Sequence, residues 1–117
     1  MEDIKNYANH VYTTLGFGHS ERIYHNAMEV MLRKHNIQYE TERIVPILFE
    51  GHVIGNMRAD LIVENNIIVE LKSTKSLNES MKQQLKNYLK LTGLTQGLLI
   101  NFPQILSDQC EIEEIKY

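Results

Sequence analysis

The chain has 117 residues, 43% of them apolar and 23% charged, with a formal net charge of −3 at pH 7. That length holds one domain with a core of its own, and no stretch approaches the roughly 18 uncharged residues of a membrane span. The acidic balance excludes a general electrostatic grip on nucleic acid but not a local basic groove, and the single cysteine, Cys110, excludes an intrachain disulfide. That lone thiol fits a reducing compartment, and Gln109-Cys110-Glu111 offers it no neighbouring base, so it reads as inert. Met1-Glu2-Asp3-Ile4-Lys5-Asn6 is not a basic segment leading into an apolar one, so the expectation is an intracellular protein, neither secreted nor membrane-bound. No repeat, low-complexity tract or linker divides residues 1–117, which read as a single domain.

In chain order, Ile4, Tyr7, Ala8, Val11 and Leu15 predict a helix from about Asp3 to Leu15, broken by Gly16-Phe17-Gly18. Ser20 caps a second helix from Glu21 to about His35, with Tyr24, Ala27, Met28, Met31 and Leu32 as its apolar stripe and Asn36 at its end. Ile37 to Phe49 and Val53 to Glu64 read as strands joined around Glu50-Gly51-His52. Pro46 cannot donate to a ladder, so the first strand should lie at an edge or be bulged there. A third strand covers Ile67 to Ser73. Helical spacing returns from Asn78 to Leu91 through Met81, Leu85, Tyr88 and Leu89, with Gly93 as terminator. Gly97 to Phe102 has the continuous apolar pattern of a buried strand, expected parallel to a central one after its crossover helix, and Pro103 closes it. Cys110 to Tyr117 reads as an edge strand or a loose tail. The sum is an α/β sandwich with a mixed sheet.

The stretch Arg58 to Lys72 carries the chemistry. Two β-branched runs flank Glu64-Asn65-Asn66, yet they bear Asp60, Glu70 and Lys72, residue types rarely buried in sheets. A two-residue turn would send Asp60 and Glu70 to opposite faces, because neighbours along a strand alternate. A three-residue loop, or an equivalent bulge near Asp60, pairs Val63 with Ile67 and sets Asp60 opposite Glu70. Asn66 is the residue expected to take the left-handed conformation in such a loop. Ala59, Leu61, Val63, Ile67, Val69 and Leu71 then share one apolar face, and Asp60, Ile62, Ile68, Glu70 and Lys72 the other. Opposed carboxylates about 5 Å apart at their β-carbons destabilise a sheet unless something neutralises them. Mg²⁺ or Mn²⁺ suits that oxygen-rich site, and Lys72, on the same face, could hold a phosphate oxygen or orient the attacking water. A solvated salt-bridge cluster is the competing reading of these three residues alone.

Asp60 followed by Glu70-Leu71-Lys72 resembles the signature of the PD-(D/E)XK nuclease superfamily. Gly18-His19-Ser20-Glu21-Arg22-Ile23-Tyr24 resembles the motif of its GxxExxY branch, as do Gln84 to Lys90 and Gly97 to Phe102, so the likeness covers about residues 15–102. Ala59 departs from the signature by standing where Pro often precedes the acid. The resemblance implies a restriction-endonuclease-like αβββαβ core with a mixed central sheet flanked by helices. It further implies that Asp60, Glu70 and Lys72 are catalytic, and that Glu21, Asp60, Glu70 and the Leu71 backbone carbonyl hold the metal. Gln84, Tyr88 and Tyr24 would support the substrate or the lysine. The implied activity is Mg²⁺- or Mn²⁺-dependent hydrolysis of phosphodiester bonds, with DNA as partner substrate, in the cytoplasm, nucleoid or nucleus. A homodimer fits so small a domain, which has little surface to grip a duplex alone. The alternative is a non-catalytic nucleic-acid-binding or scaffold protein that keeps the fold. Arg22, Arg58, Lys72 and Lys75 are the expected phosphate contacts, whereas Lys82, Lys86 and Lys90 form a solvated helix face.

Overall fold

Helix α1 (Glu2–Leu15) and helix α2 (Glu21–Lys34) form because their apolar residues recur at helical spacing, and Ser20 starts the second by accepting the Ile23 N–H at 3.4 Å. The computed structural model describes all of residues 1–117. Five strands follow: β1 (Tyr39–Phe49), β2 (His52–Val63), β3 (Ile67–Lys72), β4 (Gln96–Asn101) and β5 (Glu111–Lys116), with α3 (Glu79–Thr92) between β3 and β4. They lie in the order β1-β2-β3-β4-β5, with β3 and β4 parallel and every other pair antiparallel. The parallel pair is the one joined through a helix, as the sequence predicted. The open question over the C-terminal run is settled as well: β5 is an edge strand on β4.

Helices α1 and α2 cover one sheet face, where Tyr12, Tyr24, Met28 and Leu32 pack on Leu61, Val69, Leu71 and Leu98. Helix α3 covers the other with Leu85, Tyr88 and Leu89 on Ile62, Ile68 and Leu99. Asn78 caps α3, accepting the Met81 N–H at 2.9 Å, and Gly93 ends it in the left-handed conformation at φ 78°. Gly97 is small for another reason. A β-carbon there would stand 3.0 to 3.1 Å from the fully buried Leu85 side chain, so β4 and α3 owe their close approach to its missing side chain.

The hairpin has the three-residue register: Val63 faces Ile67, Ile62 faces Ile68 and Leu61 faces Val69. Its loop conformation corrects one expectation. Positive φ falls on Glu64 (52°) and Asn65 (51°), not on Asn66, whose N–H donates to the Val63 carbonyl at 3.0 Å. Two successive positive-φ residues make a turn whose twist matches that of the strands, which outweighs the local cost of a left-handed Glu64. Ala59 is a second correction, since it packs with the α3-side cluster rather than with Leu61. Glu42 has φ 55°, and the Glu42–Asp60 step drops out of the β1–β2 ladder between Thr41–Leu61 and Arg43–Ala59. That break resets the alternation of β2. Pro46 lies on the edge strand β1, and the ladder slips by one residue just beyond it, at Ile47/Leu48.

Candidate active site

The β2–β3 ladder stops at Leu61–Val69, and the acids take over where it ends. The Asp60 N–H donates to Glu70 Oε1 at 3.1 Å, and the Leu71 N–H donates to Asp60 Oδ2 at 2.8 Å. Each carboxylate therefore fixes the backbone of the opposite strand, replacing the ladder bonds lost as the strands part. In a strand the N–H and C=O of one residue point the same way, so the Leu71 carbonyl also faces this opening. Glu70 is only 4% exposed. Burial first, and then the Asp60 charge, push its pKa from 4.5 up to about 9. On its own, the pair keeps a proton at neutral pH.

Two elements bring further groups to this point. From β3, the Lys72 ammonium donates to Gln84 Oε1 of α3 at 3.4 Å, while the Lys72 carbonyl accepts the Phe102 N–H at 2.8 Å. From α3, the Tyr88 hydroxyl donates to the Arg58 carbonyl at 2.7 Å, holding β2 where it leaves β3. Burial and the neighbouring Glu70 raise its pKa to about 12, so it remains a donor. Glu21 opens α2 at the rim of a cleft of about 210 Å³ that it lines with Arg22, His25, Arg58 and Asp60. Crowding by protein, and next the Asp60 charge, raise its pKa, while Lys72, His25 and Arg22 pull it down. The carboxyl of Glu21 thus shares one field with Asp60 and Lys72.

Tyr24 acts one step back. Its ring stacks on Phe102 with centroids 4.4 Å apart, and its hydroxyl donates to the Gly16 carbonyl at 2.6 Å while accepting the His19 N–H at 3.4 Å. Ser73 Oγ, just past Lys72, donates to the His19 carbonyl at 3.1 Å. The turn that launches Glu21 is thereby tied to the strand that carries Lys72. The acids do not close into a cage: no three His, Cys, Asp or Glu side chains stand close enough as placed to hold a metal ion. Asp60 and Glu70 meet directly, and Glu21 faces them from the rim. Cys110 is buried, with its pKa raised to about 12 by burial, as befits an inert thiol.

Several supporting residues escaped the sequence reading. Glu42, at its left-handed position, pairs with Arg22 and, at 4.0 Å, with Arg58, so both cleft arginines share one counter-ion. His25 is buried with Nε2 2.9 Å from both Thr41 Oγ1 and Glu29 Oε2. Asn101, fully buried, accepts the Thr74 N–H at 2.9 Å and donates to the Thr74 carbonyl at 3.1 Å and to Glu111 at 3.2 Å, fixing the segment after Lys72. Its signal was visible: an amide inside the apolar run Leu98 to Phe102 needs partners.

A mixed sheet between helices, with an Asp and a Glu-x-Lys meeting where two strands part, is the layout of a restriction-endonuclease-like fold. The family model described as PD-(D/E)XK nuclease superfamily matches residues 1–115, and the chain belongs to that superfamily. Its enzymes generally use divalent metal ions. Among solved structures, the crystal structure of SSO0001 is 30% identical with a TM-score of 0.61, over 81% of this chain and 48% of that one. The chain therefore spans about half the length of that relative. An alkaline exonuclease (LHK-Exo) from Laribacter hongkongensis shares the fold, with a TM-score of 0.54 at 12% identity over 99% of this chain and 82% of that one. No curated protein matches the chain by sequence.

Proposed function

We propose that this chain is a nuclease that hydrolyses phosphodiester bonds of DNA with Mg²⁺ or Mn²⁺ bound at the Asp60–Glu70 pair. One observation carries the reading: two carboxylates, one of them buried, meet at the opened end of a strand pair with Lys72 beside them. Membership of the nuclease superfamily supports it. The donors fit a hard cation, since the carboxyl oxygens of Asp60 and Glu70 and the Leu71 carbonyl are the oxygen types Mg²⁺ and Mn²⁺ prefer. A buried acid pair that otherwise retains a proton is also a pair that a cation can displace that proton from. Glu21 would complete the set from the rim of the cleft. When bound, the cation lowers the pKa of a coordinated water and stabilises charge on the phosphoryl oxygens.

The remaining roles belong to the side chains. Lys72, steadied by Gln84, donates hydrogen bonds to a phosphoryl oxygen or orients the attacking water. Tyr88 holds the Arg58 backbone and so keeps Asp60 in register with Glu70. Arg22 and Arg58, half-exposed on the cleft rim, attract the phosphate backbone despite the acidic total, because their field is local. The motif Gly18 to Tyr24 supports placing the chain in the GxxExxY branch, where Tyr24 positions the turn that carries Glu21. A net charge of −3 favours the competing reading, a scaffold that has kept the fold. Incubation with linear, circular and single-stranded DNA and with RNA separates the two. DNA should be cut in Mg²⁺ or Mn²⁺ and stay intact in EDTA; every substrate surviving with either cation would leave the scaffold reading.

A further inference from the structure

The β1–β2 ladder runs out to Phe49–His52, while β2 meets β3 only over Leu61–Val63. Residues from about Arg43 to Arg58 therefore project as a two-stranded arm, which helps stretch the molecule to 46 × 31 × 22 Å. One side of the arm's middle lies near the end of α3, where Val45 is buried and Leu91 and Thr92 border the groove beside it. Ile44 and Leu48, on the same groove, are still 56% and 59% exposed, and towards the tip Phe49, Val53 and Ile54 are 62 to 65% exposed. Such side chains on a protruding hairpin have no role in the cleft. An isolated two-stranded hairpin with exposed aliphatics is also marginal in water.

We propose that this arm binds the arm of a second copy of the chain, making a symmetric homodimer. Three observations favour that occupant. Between Ile44 and Met57 the only formal charge is Glu50, so the arm beyond its arginine base carries no cation for a phosphate backbone or an anionic lipid surface. The outer edge of β2 beyond the β3 ladder has no strand partner and no proline from His52 to Arg58, whereas β1 carries Pro46. A strand edge paired antiparallel with its own copy satisfies a twofold axis. The Arg58 carbonyl is already taken by Tyr88, which confines the free edge to about Val53 to Met57. The area sets the geometry. At roughly 150 to 200 Å² for a whole large apolar side chain, the five expose on the order of 500 Å² per copy over both faces of the arm, so a specific interface of about 1,000 Å² requires the two arms to cover both faces.

Sedimentation velocity of the full chain from low micromolar to millimolar concentration tests this. A concentration-dependent dimer is expected, shifted at least tenfold towards monomer by Phe49→Asp with Ile54→Lys, at unchanged far-ultraviolet circular dichroism. Should that double variant fail to fold, Ile54→Cys gives an independent readout. Oxidation should trap a covalent dimer through this position and not through Leu106→Cys, which is 85% exposed elsewhere on the surface. A wild-type chain monomeric throughout, a folded double variant that dimerises as before, or equal trapping at both positions would overturn the proposal. A folded double variant that keeps the wild-type assembly but loses DNA binding would assign the arm to nucleic acid instead.

Discussion

Replacing Lys72 with alanine is expected to lower the metal-dependent DNA cleavage rate by roughly 10² to 10⁴-fold, the usual span for one positioned proton-handling or charge-stabilising group. The loss should fall on turnover rather than on substrate affinity, because the ammonium is needed most where charge builds on the phosphoryl oxygens. Folding should survive. Lys72 is half-buried, and its ammonium makes one weak contact, to Gln84 at 3.4 Å. Losing that contact costs at most about 1 kcal/mol. Single-turnover rates at saturating Mn²⁺, with a denaturation curve beside them, would show the two effects separately. A folded Lys72→Ala protein that cuts at the wild-type rate would remove the lysine from the mechanism.

Glu70→Gln should move stability and activity in opposite directions. Glu70 has a folded pKa of about 9 against an ordinary 4.5. The stability linked to its proton is therefore fully present below about pH 4.5 and is lost as pH rises towards 9. At pH 7 the loss is on the order of 3 kcal/mol. Glutamine does not titrate, still accepts the Asp60 N–H, and presents an amide to the Asp60 carboxylate. Without metal, the variant should melt on the order of 10 °C higher than wild type near pH 8, and the gap should close towards pH 4.5. Cleavage should be lost all the same, and added Mn²⁺ should raise the wild-type midpoint and not that of the variant. Thermal melts of both proteins across that range, with and without EDTA, are the check. A Glu70→Gln protein less stable than wild type at pH 8 would mean that Glu70 is comfortably ionised and needs no cation.

Much of this site was legible because strand parity is a strict rule. The aliphatic pattern selects the register in which Val63 faces Ile67, and that register carries the chain to within one step of the acids, whose meeting beyond the end of the ladder is made by carboxylate to backbone bonds. Ser20 and Gly93 likewise marked helix ends because capping is local chemistry. What stayed hidden depended on distant contacts or on the twist of the backbone. Ala59 changes face where the Glu42–Asp60 step drops out of the β1–β2 ladder, with Glu42 on the other strand at φ 55°, and nothing within two residues of Ala59 signals that. The turn placed its positive φ on Glu64 and Asn65 because the twist of both strands sets the turn's hand, which outranks side-chain preference at Asn66. Glu42 has no distinguishing neighbour in the sequence, and only the fold brings it to Arg22 and Arg58. His25 is a mixed case: Glu29 stands one turn further along the same helix, whereas Thr41 reaches it only because the fold brings β1 there.

Calorimetric titration of Mn²⁺ into the wild-type chain and into Asp60→Asn tests the centre of the account most directly. Asparagine can still accept the Leu71 N–H that Asp60 now binds at 2.8 Å, so the strands stay in place while one charge is removed. Wild type should bind Mn²⁺ with a dissociation constant below the millimolar range, and Asp60→Asn should bind at least tenfold more weakly. Equal binding by both proteins, or none by either, would contradict a cation site at the Asp60–Glu70 pair.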